Sequence, residues 1–503
     1  MTSTAASAGS IFSGRGRRPG LPRRRSRGAS LQRKGRQIAA HLRTWKFRVR
    51  LAVRESDTML SALSTDLYEI TMIGGYYASG LIGRATFDLY VRQLPPTRQF
   101  LLAAGIEQAL EFLEGLRFTT EDIRFLRAVP SLSTLPSRFF DDYLASFRFT
   151  GDVWAVEEGT PVFALEPLLR VTAPIAEAQV VETALIAQTM FQTAVASRAA
   201  RVVEAAAGRG LMEFGARRAH GIVAGVLAAR AAYLAGFDST SVIEAGRRFG
   251  IPLSGTMGHS WVMAFPDEAT AFRRYAETFG DGAVFLLDTY DTIAAARTVA
   301  ASGLRPRAVR LDSGDLIALS REVRQILDAH GLQETSIVVS GDLDEWRVAE
   351  IVESGAPVAG FGVGTAVSTS SDAPALSGVY KLAEIERNGR FVPVMKRSVG
   401  KHTYPGRKQV WRVVEHGVAV EDVIGLDEAG PKGAVPLLRQ VMSAGVRRTG
   451  PSLKDLRQRR AEQIAMLSSS VRQLRGGSPY PVRISDALSD AAGEPDKAHL
   501  AGD

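Results

Sequence analysis

The chain has no cysteine, which removes disulfides, thiolate metal sites and cysteine nucleophiles from consideration. No run of residues approaches the ~18 apolar positions of a membrane span. No apolar stretch of signal-peptide length follows the N-terminal charges. Histidine is scarce, with 7 among 503 residues. His41, His220, His330, His402, His416 and His499 lack metal-ligand spacing and read as structural or surface groups. Acids are nearly missing from residues 1–57, where 15 Lys and Arg, with clusters such as Arg23-Arg24-Arg25, stand against only Glu55 and Asp57. That segment carries +13 of a net +9, so the remaining body is mildly acidic at −4.

Such an Arg-, Ser- and Gly-rich segment has three readings: a basic arm for nucleic acid or an anionic membrane surface, a transit peptide, or a stretch outside the working protein. Globular patterning begins only at Met59-Leu60, so the expectation is a dispensable, disordered extension (1–57) with Met59 as the true start. The acidic body argues against a nucleic-acid partner, and nothing points to a membrane.

The composition that remains is ordinary for a globular protein, 45% hydrophobic and 23% charged, over a length that allows two or three domains. Thr65 to Ala78 reads as a helix capped by Ser64 or Thr65, and Gly83 to Val91 alternates like a strand. Helices follow at 106–116 and 121–126, then hairpin-like strands at 152–164 around Glu158-Gly159, a strand at 168–172 and a long apolar-rich helix over 178–206. The rhythm then changes. Strands near 211–214, 240, 284–287, 308–311, 336–339 and 359–362 alternate with helices, which implies parallel strands. The number of units favours a barrel over an open sheet. Strands at 380–385 and 409–414 are expected to complete the first sheet. The domains expected are therefore 59–195 completed by 378–440, a catalytic barrel at 196–377, and a C-terminal helix with a frayed tail at 441–503.

Chemistry concentrates where strands end. Gly255-Thr256-Met257-Gly258-His259-Ser260-Trp261 follows a short apolar run. Leu286-Leu287-Asp288, Arg310-Leu311-Asp312-Ser313-Gly314-Asp315, Ser340-Gly341-Asp342 and Phe361-Gly362-Val363-Gly364-Thr365 repeat the layout. Five elbows of this kind point to one active site at the carboxyl ends of parallel strands. Glycines there let backbone N–H groups approach a phosphate. Asp312 and Asp342 are expected to face a ligand, holding ribose hydroxyls or Mg²⁺ shared with phosphates, while Asp315 and Asp344 cap helices. His259 is a general base or a nucleophile that takes up a phosphoryl group. Arg198, Arg201, Arg217, Arg218 and Arg310 supply anion-binding guanidinium groups, and Lys396 to Lys401 forms a basic loop. Together these suggest a phosphorylated sugar substrate.

Several of these motifs, in order, resemble the nicotinate phosphoribosyltransferase family: Ser64 to Met72, Met212-Glu213-Phe214-Gly215-Ala216-Arg217-Arg218-Ala219, the His259 motif, Val309 to Asp315 and Phe361 to Ser368. The resemblance spans about residues 59–440. It implies an irregular, TIM-like α/β barrel joined to an α/β sandwich domain built from both chain ends, the type II phosphoribosyltransferase fold. It implies condensation of nicotinate with phosphoribosyl pyrophosphate, coupled to ATP hydrolysis with Mg²⁺, in a cytoplasmic homodimer. His259 falls on the transiently phosphorylated histidine. Arg310, Asp312, Gly341, Asp342, Gly362 and Gly364 fall on ribose- and phosphate-contacting positions, and Ser313, Gly314 and Thr365 beside them are expected to bind substrate. Tyr68 matches a tyrosine that stacks on the pyridine ring across a dimer interface. Arg201, Glu213 and Arg217 fall beside the nicotinate. Two departures are visible: Gly258 replaces the usual alanine, and Ser197-Arg198 stands where Thr-Lys is common. A nicotinamide-specific relative is the nearest rival; a decarboxylating quinolinate enzyme would lack the histidine motif.

Overall fold

A computed structural model describes residues 60–398, 403–427 and 430–493. The extension at 1–57, Met59, His41, His402, His499 and part of the basic loop after Ser398 lie outside the described residues.

A seven-stranded sheet is built from both ends of the chain. Strands β1 (Arg84–Val91), β3 (Asp152–Ala155) and β5 (Pro167–Pro174) join β12 (Gly378–Arg387), β13 (Arg390–Pro393), β17 (Arg439–Ser443) and β18 (Val446–Arg447) in the order β13-β12-β1-β5-β3-β17-β18. The strand β1 alternates in sequence, yet seven of its eight residues are buried. Its polar positions are paired inside: Asp88 with the Lys408 ammonium at 2.7 Å, and Thr86 with Thr172 and Glu384. The expected hairpin at 152–164 does not form. Strand β4 (Pro161–Val162) leaves β3 and pairs with β2 (Leu101–Leu102) in a separate ribbon. In between, the Glu158 carboxylate is drawn inward by the N–H of Gly105 and the buried Arg230.

The middle of the chain forms the parallel sheet. Its strands are β6 (Gly210–Glu213), β7 (Ser239–Thr240), β8 (Val284–Leu286), β9 (Ala308–Leu311), β10 (Ser336–Ser340) and β11 (Gly360–Val363), in the order β7-β6-β11-β10-β9-β8. Val309, Leu311, Val339, Phe361 and Val363 are fully buried and anchor one large core; Leu89, Val153 and Val171 anchor the core of the antiparallel sheet. Among the described residues β7 and β8 are edges, so the sheet is open rather than a hydrogen-bonded ring. The segment expected to continue it, Ile251 to Leu253, makes one bridge from Leu253 to Thr240. The Pro252 carbonyl accepts from the Thr240 N–H at 3.0 Å, and the proline has no N–H to extend that pairing backward along β7.

A third sheet, β16 (Val435–Pro436), β14 (Lys408–Glu415), β15 (Val418–Leu426) and β19 (Val482–Ile484), takes the strand expected at 409–414 out of the first sheet and corrects the expectation of a frayed tail as far as residue 493. The strand β19 runs parallel to β15, and Tyr480 is 8% exposed with its hydroxyl on Asp422. The expected C-terminal helix runs over Leu453–Ala465, and the capping box of Ser452 and Asp455 sets its start. The long helix at 178–206 is two, Ile175–Val180 and Glu182–Ala206, divided at Val181. The first helix is Leu67–Ala78. Asp66, not Ser64 or Thr65, occupies its N-cap position; it makes no side-chain cap and its carboxylate accepts from the Thr183 hydroxyl at 2.9 Å, while the Thr65 hydroxyl is used on Glu69 and on the Val180 carbonyl at 3.0 Å. No helix among the described residues is long and apolar enough to cross a membrane.

Candidate active site

The carboxyl ends of β8, β9 and β10 converge on one hydrogen-bonded cluster, with Arg310 at its centre. Its Nε donates to the Ser340 hydroxyl at 2.8 Å, Nη1 to the Thr256 hydroxyl at 2.5 Å and Nη2 to Asp312 Oδ1 at 2.9 Å. One guanidinium thus ties the β9 end, the β10 end and the histidine elbow together. A planar fork with five fixed donors suits this role better than an ammonium would. Asp312 also accepts from the Ser340 hydroxyl at 2.5 Å. Burial works against charge on Asp312, but the Ser340 hydroxyl and the Arg310 guanidinium outweigh it, with a smaller contribution from His259, and hold the carboxyl below its ordinary value. The carboxylate is therefore ionised throughout the neutral range.

His259 opens the short helix His259–Met263. Its Nε2 lies 3.8 Å from Asp312 Oδ2, and its Nδ1 is 3.2 Å from the Thr289 hydroxyl. The ring is 41% exposed, so it is oriented yet open to a ligand. Asp288 supports the same corner: Oδ2 accepts from the Asp312 N–H at 3.2 Å and the Ser313 hydroxyl at 2.5 Å. Its other oxygen is buried without a partner among the described residues.

The glycines divide by role. Gly341 has φ +92°, and a Cβ there would sit 1.9 Å from the Asp312 carbonyl oxygen, so the turn after β10 closes onto the turn after β9 only with glycine. Asp342 follows at φ +45°. It is exposed, and its carboxylate makes no side-chain hydrogen bond or ion pair among the described residues. Gly314, at φ +81°, turns the β9 loop toward the helix Leu316–Ala329. Gly362 makes room for the Phe214 ring, which a Cβ would meet at 2.6 Å, and Gly364 clears the Phe214 carbonyl at 3.2 Å. These two glycines bring β6 and β11 together beneath Thr365, the first residue of the short helix Thr365–Ser368. Asp315 and Asp344 cap helices, as expected, each accepting from two backbone N–H groups.

Other candidates lie apart from this cluster. Glu213 is fully buried, accepting from the Gly215 N–H at 2.5 Å and the Thr240 hydroxyl at 2.6 Å; burial raises its carboxyl despite those bonds. It shapes the turn leading to Arg217 and Arg218, which are exposed. The Arg201 guanidinium is engaged internally: Nε donates to Glu345 at 3.1 Å, Nη2 to the Leu474 carbonyl at 3.2 Å, and the group lies 5.1 Å from the Trp346 ring. Arg198 bridges Glu345 at 2.7 Å and Asp372 at 2.9 Å. Tyr68 is 45% exposed on the helix Leu67–Ala78; burial of its remainder, then Glu182 and Glu69, push its phenol above its ordinary value. His220 is exposed, His330 ends a helix by contacting the Ile326 carbonyl, and His416 sits in a turn at φ +51°. Sequence reasoning did not single out Thr256, Thr289 or Phe214 as working parts. Their only signal was their place inside elbows already marked by Gly, His and Asp.

Fold and site together define a class: an α/β enzyme whose ionised carboxylate, arginine and open histidine are gathered at parallel strand ends on a close-approach glycine turn. The sequence patterns of known families agree and add the particular one. Residues 63–189 match the nicotinate phosphoribosyltransferase (NAPRTase) N-terminal domain, 210–423 the NAPRTase family and 427–492 the NAPRTase C-terminal domain. The chain is similar to nicotinate phosphoribosyltransferase pncB2 of Mycobacterium tuberculosis, 44% identical over 87% of this chain and 94% of the relative. It is 42% identical to nicotinate phosphoribosyltransferase of Bacillus subtilis over 70% of this chain and 73% of that one. The crystal structure of human nicotinic acid phosphoribosyltransferase superposes with a TM-score of 0.75 at 29% identity, covering 85% of this chain and 99% of that one. The chain belongs to the nicotinate phosphoribosyltransferase family and is an enzyme of that type.

Proposed function

We propose that this enzyme joins nicotinate to the ribose of phosphoribosyl pyrophosphate, releasing pyrophosphate and nicotinate mononucleotide, with ATP hydrolysis coupled through His259. The observation that carries the reading is the single cluster of Arg310, Asp312, Ser340, Thr256 and His259 at adjoining strand ends. Breaking the C1–O bond to pyrophosphate while forming the bond to the pyridine nitrogen passes through a cationic, oxocarbenium-like ribose. Positioning and charge stabilisation then supply most of the catalysis. Asp312 and Asp342 hold the ribose hydroxyls, and the backbone N–H groups of the Gly341 turn face the phosphates. Arg310 holds Asp312 in place and sets the positive potential that meets the leaving group.

In the coupled step Nε2 of His259 attacks the γ-phosphorus of ATP, a nitrogen–phosphorus bond forms and the bond to ADP breaks. Water later cleaves the phosphohistidine. With Nδ1–H donating to the Thr289 hydroxyl, 3.2 Å away, Nε2 is the unprotonated nitrogen that attacks. No cluster of three or more candidate ligands that would cage a metal exists among the described residues. The unpartnered buried oxygen of Asp288, close to Asp312, fits a Mg²⁺ that arrives with the substrate's phosphates. Asp288 and Asp312 would hold that ion, which neutralises leaving-group charge when bound. The exposed Tyr68 fits a homodimer in which one subunit covers the pyridine ring of the other, and the setting is cytoplasmic.

The test is pyrophosphate release from phosphoribosyl pyrophosphate, with nicotinate or nicotinamide, with and without ATP. Nicotinate-dependent release stimulated by ATP is expected. Release with nicotinamide alone would move the enzyme to the sister specificity, and no release with either would refute the reading.

A further inference from the structure

The turn that presents Asp342 places two successive residues at positive φ, Gly341 at +92°, which glycine adopts freely, and Asp342 at +45°, which a residue with a side chain seldom adopts. Such a conformation persists only where the surroundings over-determine it. Its entry side is fixed by the tight approach of Gly341 to the Asp312 carbonyl. Its exit side leads at once into the helix Glu345–Glu353, capped by Asp344. Glu345, the first residue of that helix, is fully buried, and acids are almost never buried without partners. One of its oxygens lies 2.7 Å from Arg198 and the other accepts from Arg201 at 3.1 Å, both on the helix Glu182–Ala206. Arg198 also reaches Asp372 at 2.9 Å, in the loop that follows the helix Thr365–Ser368.

We propose that Glu345 is a positioning residue for phosphoribosyl transfer. It docks the helix behind the Gly341–Asp342 turn onto Arg198 and Arg201, and so fixes where Asp342 meets the sugar phosphate. The proposal rests on the reading of the site as one for a phosphoribosyl donor. A carboxylate is required because each oxygen faces its own guanidinium; an amide has one acceptor and turns its donor toward a cation. Two consequences separate this role from general stabilisation. The loss should fall on the phosphoribosyl donor rather than on nicotinate, and a shorter carboxylate should restore part of it.

The experiment compares Glu345→Gln, Glu345→Asp and a control, Glu158→Gln, in the full chain. The control breaks an ion pair of similar burial, Glu158 with Arg230, away from the turn. Steady-state kinetics, melting temperature and calorimetric titration with phosphoribosyl pyrophosphate are read together. For Glu345→Gln the KM and Kd for phosphoribosyl pyrophosphate should rise about tenfold, the size expected from a sub-ångström displacement of the turn. Its KM for nicotinate should stay within about twofold and Glu345→Asp should fall between it and wild type. Glu158→Gln should lower the melting temperature without moving either constant. If Glu345→Gln only melts earlier, as the control does, the proposal is overturned. If wild type shows no nicotinate-dependent turnover, the functional reading fails, while the titration still judges Glu345. If wild type does not bind phosphoribosyl pyrophosphate, both fail.

Discussion

Replacing Gly341 with alanine should damage the active site far more than its single added carbon suggests. The new Cβ would be placed 1.9 Å from the Asp312 carbonyl oxygen, where real Cβ atoms essentially never come within 3.0 Å. The two turns must part by about 1 Å, and a misplacement of that size costs on the order of 100-fold in rate, or about 2.7 kcal/mol in transition-state stabilisation. The left-handed backbone adds roughly 1–2 kcal/mol for any residue with a Cβ. The expectation is therefore a kcat/KM for phosphoribosyl pyrophosphate lowered on the order of 100-fold and a folded state weakened by about 2–4 kcal/mol. Steady-state pyrophosphate release and urea unfolding measure the two. Gly258→Ala is the internal control: it lies in the same site, its Cβ would meet only Ser260 Oγ at 3.9 Å, and its φ of −98° suits any residue. It should keep activity within about twofold. A Gly341→Ala enzyme as active and as stable as Gly258→Ala would refute the argument that the β9 and β10 turns need their close approach.

His259→Ala should abolish ATP hydrolysis while slow, ATP-independent transfer survives at high donor concentration; ATP stimulation that persists would remove His259 from the coupled step. Asp342→Ala should raise the KM for phosphoribosyl pyrophosphate at least tenfold, by loss of a charge-assisted hydrogen bond of about 1.5–3 kcal/mol, and an unchanged KM would exclude it from the site. Asp372 carries a pH prediction. Burial opposes its charge, but Arg98 and Arg198 hold its carboxyl below its ordinary value of 3.8, so its stabilisation is complete above that value and is lost as the pH falls below it. Asp372→Asn should therefore cost about 3 kcal/mol at pH 7, and the gap to wild type should narrow as unfolding is measured from pH 5 down to 3. A gap that widened toward acid would contradict the sign.

What the sequence revealed was set by short-range physics. The elbows at Asp288, Asp312, Asp342 and Gly364 were readable because an apolar strand, a small turn residue and a capping acid follow one another within a few positions. The caps Asp315 and Asp344 were legible for the same reason. What stayed hidden was decided by partners remote in the chain. Nothing near Arg201 shows that its guanidinium is taken up by Glu345 and by the Leu474 carbonyl. Nothing near Glu213 shows that Thr240 and its own turn consume both oxygens. The alternation of β1 suggested a solvent-facing side, which Lys408 and Glu384, about 300 residues later, cover instead. That the segment after β7 makes only one bridge, leaving the sheet open among the described residues, was likewise not announced by its own residues.

The seven-stranded sheet also sets a timetable for synthesis. The backbone of Arg84 waits for Glu386, 302 positions later, and β3 waits nearly as long for β17. At about 5–20 residues per second, the edge of β1 stands open for roughly 15–60 s on the ribosome, its N–H and C=O groups unpaired and its apolar face uncovered. Meanwhile the whole parallel sheet emerges between the two halves and has the chance to fold first. The nascent N-terminal part is thus the piece that needs shielding, and a chain ending before residue 378 would be prone to edge-to-edge association even though its share of the catalytic residues is already complete.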